Sequence, residues 1–293
     1  MITKNGMFAI TGRPNVGKST LANALAGEKV AIVTDKPQTT RNRITAIRNR
    51  GECQFVFLDT PGFHKPVTKL GEYMNNVVTE SVADVDAVLL VVEPEAYVGK
   101  PESILIDRIK AQKIPAVLVI NKIDTVEPEK LLEVIAVYRN AFDFADYIPI
   151  SAKNGDGIDI ILDSIERFAV PGPPLFPEGQ VSDQPDRQLV AEIIREKLLL
   201  TLDKEVPHGI AVAIDVFKEE KDVVRIGATI YCERESHKGI IIGKSGARLK
   251  QVGMLARTDL ERFFGTKVFL ETWVKVKENW RQSDAQIRNF GFN

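Results

Sequence analysis

Two glycines with four residues between them, followed at once by Lys and Ser, constrain this chain more than any other feature. The run is Gly12-Arg13-Pro14-Asn15-Val16-Gly17-Lys18-Ser19, continuing to Thr20. Glycines at that spacing let the backbone curl so that its N–H groups point inward at a polyphosphate. Lys18 is placed to reach the β- and γ-phosphates, and the Ser19 hydroxyl to ligate Mg²⁺. The context agrees. Met7-Phe8-Ala9-Ile10 reads as a buried strand, and Lys18 to Ala26 as a helix whose N-terminus faces the anion.

The loop does not say which nucleotide it takes. Asn121-Lys122-Ile123-Asp124 does, because it follows the apolar run Ile114 to Ile120, a strand of the parallel-sheet kind. Ligands bind at the carboxyl ends of such strands. Asp124 would accept from the N1–H and N2 amine of guanine, and a buried Asp124 would reject adenine, which offers neither donor. Asn121 would brace neighbouring loops, and the Lys122 stem would cover the base. Ser151-Ala152-Lys153 follows a second apolar run, Tyr147 to Ile150, and offers its backbone to the guanine O6.

Between these motifs lies Asp59-Thr60-Pro61-Gly62, at the end of Phe55-Val56-Phe57-Leu58. Asp59 is placed to hold Mg²⁺ through water and the Gly62 N–H to meet the γ-phosphate. Upstream, Gln38-Thr39-Thr40-Arg41 falls where the first switch loop belongs. One of its threonines should ligate Mg²⁺. Thr40, next to Arg41, is favoured, and Thr39 stays open. Loss of the γ-phosphate would release both switches.

The position just after Gly62 holds Phe63, where many GTPases carry the Gln that orients the attacking water. Phe63 cannot hydrogen-bond water, so intrinsic hydrolysis should be slow and depend on other groups. His64 reads as a switch-loop residue ahead of a general base. Asn15 is placed either to help hold a monovalent cation such as K⁺, which would neutralise transition-state charge, or to brace the loop.

The first 170 residues alternate strands and helices, which predicts an α/β fold: a mixed, mostly parallel sheet with helices on both faces. A tight turn at Gly51 joins Arg43 to Arg50 with Glu52 to Leu58, so one edge should be antiparallel. Residues 171–185 read as a stiff Pro-rich linker. From 186 to 293 the pattern changes. Leu189 to Leu202 is helical, with Glu196 and Lys197 expected on the wet side. Gly209 to Phe217 and Val223 to Cys232 are paired strands joined by a turn over Lys218 to Asp222. Lys267 to Val276 is a third strand.

Within this smaller α+β domain, Gly243-Lys244-Ser245-Gly246 precedes a helix reaching to about Phe264. A Gly-x-x-Gly turn lets backbone approach a single-stranded phosphate chain. Gly239 leads into Ile240, Ile241 and Ile242, expected to floor a groove for bases, while Lys244, Arg248 and Lys250 add charge. From Lys238 to Arg281 there are ten Lys or Arg against four acids, whereas the whole chain carries a formal charge of −1. A basic module on an acidic remainder points to nucleic acid. Trp273 and Trp280 offer stacking surfaces, although Trp273 reads first as packing.

These motifs together resemble the Era family of GTPases over nearly the whole chain. The likeness also rests on Lys36-Pro37, on Glu192-Ile193-Ile194-Arg195-Glu196-Lys197 and on Leu270 to Lys277. It implies a P-loop GTPase domain followed by a type II KH domain. It further implies binding to the 3′ end of 16S rRNA, favoured by GTP, in assembly of the small (30S) ribosomal subunit. A hydrophobic residue in place of the catalytic Gln is typical of that group, and Phe63 matches. Some members associate peripherally with the cytoplasmic membrane.

Cys53 and Cys232 lie far apart with no metal spacing, as expected of reduced thiols in a cytosolic monomer. Val85 to Val92 is too short to cross a bilayer. Two other classes stay in view. A small-molecule kinase or ATPase would use the same loop but not Asn121 to Asp124. A membrane-attached signalling GTPase would use the basic module for protein or lipid.

Overall fold

The computed structural model describes residues 1–203 and 206–292. Its contacts divide into two units. The first comprises residues 1–31, 40–66 and 71–183; the second comprises 32–39, 67–70 and 184–293.

The first unit is built on β1 (Lys4–Thr11), α1 (Lys18–Ala26), β2 (Ile44–Arg50), β3 (Cys53–Asp59), α2 (Lys69–Ala83, from Gly71 on), β4 (Ala87–Val92), α3 (Lys100–Gln112), β5 (Ala116–Ile120), α4 (Pro128–Ala141), β6 (Asp146–Pro149), α5 (Ile158–Ile165) and β7 (Val170–Pro171). Its sheet has the order β2-β3-β1-β4-β5-β6, with β7 paired to β1. The β1–β3, β1–β4, β4–β5 and β5–β6 pairs are parallel, and the hairpin β2–β3 is antiparallel, as the Gly51 turn predicts.

Every residue of β4 and β5 is buried, which is why these strands read as unbroken Val/Leu/Ile runs. Alternation sends Phe8 and Ile10 into one core, with Leu21 of α1 and Ile161 of α5. Ala9 goes to the opposite core, with Val78, Leu105 and Val134 of the helices on the other face. The strand ends therefore carry their loops to one edge, where α1 begins.

The Pro-rich stretch that begins at residue 171 is pinned to this unit. Val170–Pro171 pairs with β1, Gly172 donates to the Thr3 carbonyl at 3.0 Å, and the Asn5 amide donates to the Pro173 carbonyl at 2.8 Å. The buried Gln54 carboxamide accepts from Leu175 and Phe176 N–H at 2.7 and 2.9 Å, and Ile47 N–H donates to the Val181 carbonyl. Proline removes donors from this stretch, yet its remaining backbone groups still find partners.

The second unit contains α6 (Asp186–Thr201), β8 (Ala211–Glu220), β9 (Val223–Cys232), α7 (Glu235–Ile242), α8 (Ala247–Phe264), β10 (Lys267–Val276) and α9 (Asp284–Asn289). The sheet order is β10-β9-β8, with β8–β9 antiparallel and β9–β10 parallel. Strand β8 runs on to Glu220, so the joining turn is shorter than expected, and a bulge lies between Ile214 and Val216. Val190 and Ile194 of α6 and Val252, Ala256 and Leu260 of α8 cover the sheet.

On α6 and after β10 the structure departs from the sequence expectations. Glu196 and Lys197 are buried, not on the wet side. Lys197 Nζ binds Glu196 at 2.8 Å and also Asp259, so its charge is compensated where water is excluded. Trp280 is fully buried and donates its indole N–H to the Gly209 carbonyl at 2.9 Å, so it offers no stacking surface. Trp273 on β10 stays half exposed.

Candidate functional site

The phosphate loop joins β1 to α1. Gly17 has φ +96°, and a Cβ there would lie 2.2 Å from the Asn121 amide nitrogen, so only glycine fits. Lys18 is buried, and its ammonium donates to the Gly12 and Arg13 carbonyls at 3.1 and 2.8 Å. Burial lowers its pKa to about 8, against the attraction of Asp59. The Arg13 guanidinium meets Glu93 and Glu95.

Ser19 and Thr40 bring their hydroxyl oxygens to 2.7 Å of one another. Thr39 is engaged elsewhere: its hydroxyl meets Thr34 Oγ1 and the Lys36 carbonyl, both at 2.6 Å. Asp59 is fully buried, and neither of its carboxylate oxygens has a hydrogen-bond partner among the described residues. Burial pushes its carboxyl up to about 6, against the pull of the nearby Ser19 hydroxyl and Lys18 ammonium. A buried carboxylate with unused lone pairs beside two hydroxyls is an all-oxygen donor set, which suits a hard cation such as Mg²⁺.

After Asp59 the chain turns back over the phosphate loop. Thr60 donates its hydroxyl to the Ile10 carbonyl at 2.8 Å, and Phe63 N–H donates to the Gly12 carbonyl at 3.2 Å. The segment Pro61-Gly62 is thereby held against the loop. Phe63 points into the core, with the Arg108 guanidinium 4.8 Å over its ring. His64 turns its Nδ1 to the Gly62 carbonyl at 2.9 Å.

The first switch is divided. Thr40 and the buried Arg41 belong to the first unit, whereas residues 32–39 belong to the second. There the Arg195 guanidinium of α6 donates to the Thr39 carbonyl and, at 3.5 Å, to the Gln38 carbonyl, while Glu192 holds its other edge. Glu196 accepts from the Val33 N–H at 3.0 Å. In the sequence this run on α6 shows only as part of the family likeness.

The guanine motif lies past β5. Asn121 is buried; its amide donates to the Val16 carbonyl at 2.8 Å, and its Oδ1 accepts from Ala152 N–H at 3.0 Å. Lys122, at φ +66°, donates to the Asn15 carbonyl at 2.7 Å. Asp124 is exposed rather than buried, and the Ser151 hydroxyl donates to it at 2.7 Å, which keeps its carboxyl below the usual range. A bound base would have to supply the burial on which rejection of adenine depends. Lys153 is exposed on the same turn.

In the second unit, Gly243 has φ +73°, and a Cβ there would meet Arg248 Cβ at 2.8 Å. Ser245 and Gly246 also have positive φ, so the turn between α7 and α8 is sharp. Arg248 braces it by donating to the Ile240 carbonyl at 2.6 Å. Gly239, Ile240, Lys244 and Lys250 are exposed. Ile241 is fully buried in the core and cannot floor a groove; Ile242 is half-buried. Beside this turn lies a groove of about 470 Å³, lined by Gly246, Leu249, Lys250, Met254, Arg257 and Leu270 among others. The helical spacing of Lys250, Met254 and Arg257 was the available signal.

Residues 7–122 match the family model described as 50S ribosome-binding GTPase, and residues 205–281 match KH domain. GTPase Era of Ruminiclostridium cellulolyticum is 49% identical over 100% of this chain and 98% of its own. GTPase Era of Alkaliphilus metalliredigens is 50% identical over 100% of both chains. This chain belongs to the GTPase Era family. Like other Era proteins it is a GTPase, hydrolysing GTP to GDP and phosphate. Two solved Era structures share its fold over 99% of both chains at 38% identity. One is Era in complex with MgGDPNP and nucleotides 1506–1542 of 16S ribosomal RNA, at a TM-score of 0.96. The other is a variant of Aquifex aeolicus Era bound to GDP.AlF4−, at 0.95. No described helix is long and apolar enough to cross a membrane.

Proposed function

We propose that this GTPase uses nucleotide state to time its binding to the 3′ end of 16S rRNA during assembly of the small ribosomal subunit. The backbone of Gly12 to Thr20 and the Lys18 ammonium cradle the phosphates, and Asn121, Lys122, Asp124 and Ser151 to Lys153 take the guanine. Ser19, Thr40 and Asp59 would hold Mg²⁺, directly or through water; the ion, when bound, neutralises charge on the β- and γ-phosphates. Turnover is slow because Phe63 is packed in the core and has no group to orient water. A K⁺ requirement would rest on Asn15 alone.

RNA enters the groove beside Gly243 to Gly246, where Lys244, Lys250 and Arg257 meet phosphates and Leu249, Met254 and Leu270 meet bases. The observation that carries the timing is the divided first switch. Arg195 holds the Thr39 carbonyl within the second unit, and the next residue, Thr40, meets Ser19 in the first. A change in the hold on Thr40 thus reaches, through one peptide bond, a segment gripped by the helix that opens the RNA-binding unit. Related Era bound to both a GTP analogue and 16S rRNA supports the pairing of ligands.

Fluorescence anisotropy of a labelled RNA matching the 16S 3′ end, against a scrambled RNA of equal length, tests the substrate. Tighter binding of the matching RNA is expected; equal binding would overturn the assignment.

A further inference from the structure

Strand order dictates which residue can touch both nucleotide loops at once. The phosphate loop follows β1 and the guanine motif follows β5; β4 lies between them and pairs with each. Neighbouring strands are about 4.8 Å apart. The first residue beyond β4 is therefore within side-chain reach of both loops, and that residue is Glu93.

Its carboxylate is used on both sides. One oxygen meets Lys122 Nζ and the other meets the Arg13 guanidinium. Arg13 has further acids available, Glu95 at 2.9 Å and Glu102 at 3.6 Å. Lys122 has no second carboxylate among the described ion pairs, only the Asn15 carbonyl at 2.7 Å. Burial alone would push the Glu93 carboxyl up, yet Lys122 and Arg13 together hold it below the usual carboxylate range. Glu93 is therefore ionised at neutral pH, and all three groups are less than two-fifths exposed, so solvent screens the pairs only in part.

We propose that Glu93 is a positioning residue that latches the Lys122 stem across the nucleotide and so sets how long GDP and GTP stay bound. The inference rests on Lys122 covering the guanine, as read above. Without the carboxylate, Lys122 and Arg13 become two neighbouring cations with no shared anion. Lys122 then leaves the Asn15 carbonyl, and the base loses its cover. Simple charge bookkeeping gives the opposite sign: removing an acid near bound phosphates should tighten binding and slow release. The two accounts therefore differ in direction.

The test is the dissociation rate of a fluorescent N-methylanthraniloyl GDP from the full chain, wild type against Glu93→Gln, chased with excess GDP. The latch predicts release about ten to a hundred times faster, the range for loss of a charge-assisted hydrogen bond. IDP, which lacks the N2 amine, should be released faster by the same factor, because the Lys122 stem does not read the base edge. Glu95→Gln, whose carboxylate meets Arg13 and makes no described ion pair with Lys122, should change release by less than threefold. Glu93→Asp keeps the charge but shortens the reach. It should fall between wild type and Glu93→Gln, and it serves if the Gln variant does not fold. Release from Glu93→Gln at or below the wild-type rate would overturn the latch, as would wild-type release from Glu93→Asp. Failure of the guanine-site reading itself would show differently: wild-type protein would then hold GDP no better than ADP.

Discussion

The Asn121 side-chain amide donates to the Val16 carbonyl at 2.8 Å, across 105 residues of chain, and its oxygen accepts from Ala152. One buried carboxamide thus joins the phosphate loop to both guanine loops. Replacing it with Ala leaves a buried carbonyl and a buried N–H unpaired, each costing about 1–3 kcal/mol. Asn121→Ala should lower stability by about 2–6 kcal/mol in urea unfolding and weaken GDP binding at least tenfold by fluorescence titration. Wild-type stability would refute the bracing role.

Asp59 carries a pH signature. Its folded pKa is raised to about 6 from an ordinary 3.8, so the ionised form is disfavoured in the fold. The penalty is absent below the ordinary value, grows as pH rises through the interval, and is complete above about 6. At about 1.4 kcal/mol per unit it reaches roughly 3 kcal/mol at most, less whatever Lys18 loses with its counter-charge. Asp59→Asn should therefore stabilise the nucleotide-free protein at pH 7.5 and lose that advantage towards pH 4. It should also lose the Mg²⁺ dependence of nucleotide affinity. Equal melting of variant and wild type at pH 7.5 would contradict this.

Phe63 packs against Val78 and the Ala9 side of the sheet under Arg108. Phe63→Ala should cost about 3–5 kcal/mol. Phe63→Gln should not raise single-turnover hydrolysis more than about twofold, because the position points inward rather than at the γ-phosphate. A large gain would mean that the side chain swings out in the reacting state.

The motif residues were legible in the sequence because phosphate and guanine chemistry demands particular groups at particular spacings. Strands β4 and β5 were legible because burial on both faces writes an unbroken apolar run. Glu196 and Lys197 were not. Their burial depends on Asp259, 62 residues further on, and local periodicity sees only a polar pair on a helix. Ile241 and Trp280 failed for a related reason: an apolar side chain in a binding module serves the core and a binding surface equally well in sequence. Glu93 carries no motif at all; it becomes visible only once strand order places β4 between the two loops.

The buried pair makes its own prediction. Removing one partner of a buried ion pair costs about 3–5 kcal/mol. Asp259→Ala should destabilise the second unit by that order and lower RNA affinity, while Lys197→Met combined with Glu196→Gln and Asp259→Leu should recover much of the loss. Hydrogen exchange on α6 and α8 would report it; unchanged protection in Asp259→Ala would contradict it.

At the RNA groove the two basic residues should separate. Lys244 is exposed and makes no side-chain hydrogen bond or ion pair among the described residues, so Lys244→Ala should lower the slope of log affinity against log salt by about 0.7, the value for one single-strand phosphate. Arg248 also holds the Ile240 carbonyl, so Arg248→Ala should weaken RNA binding through the turn as well as through charge. Identical slopes for Lys244→Ala and wild type would remove Lys244 from the phosphate path.

Gating of RNA binding by nucleotide state is tested most directly by titrating the full chain with a 16S 3′-end RNA under saturating GDP and under a non-hydrolysable GTP analogue. Binding should be tighter with the analogue and, by reciprocity, the analogue should bind more tightly with the RNA present. Arg195→Ala should narrow the difference between the two states. Equal RNA affinity in both nucleotide states would contradict gating and leave two independent activities on one chain.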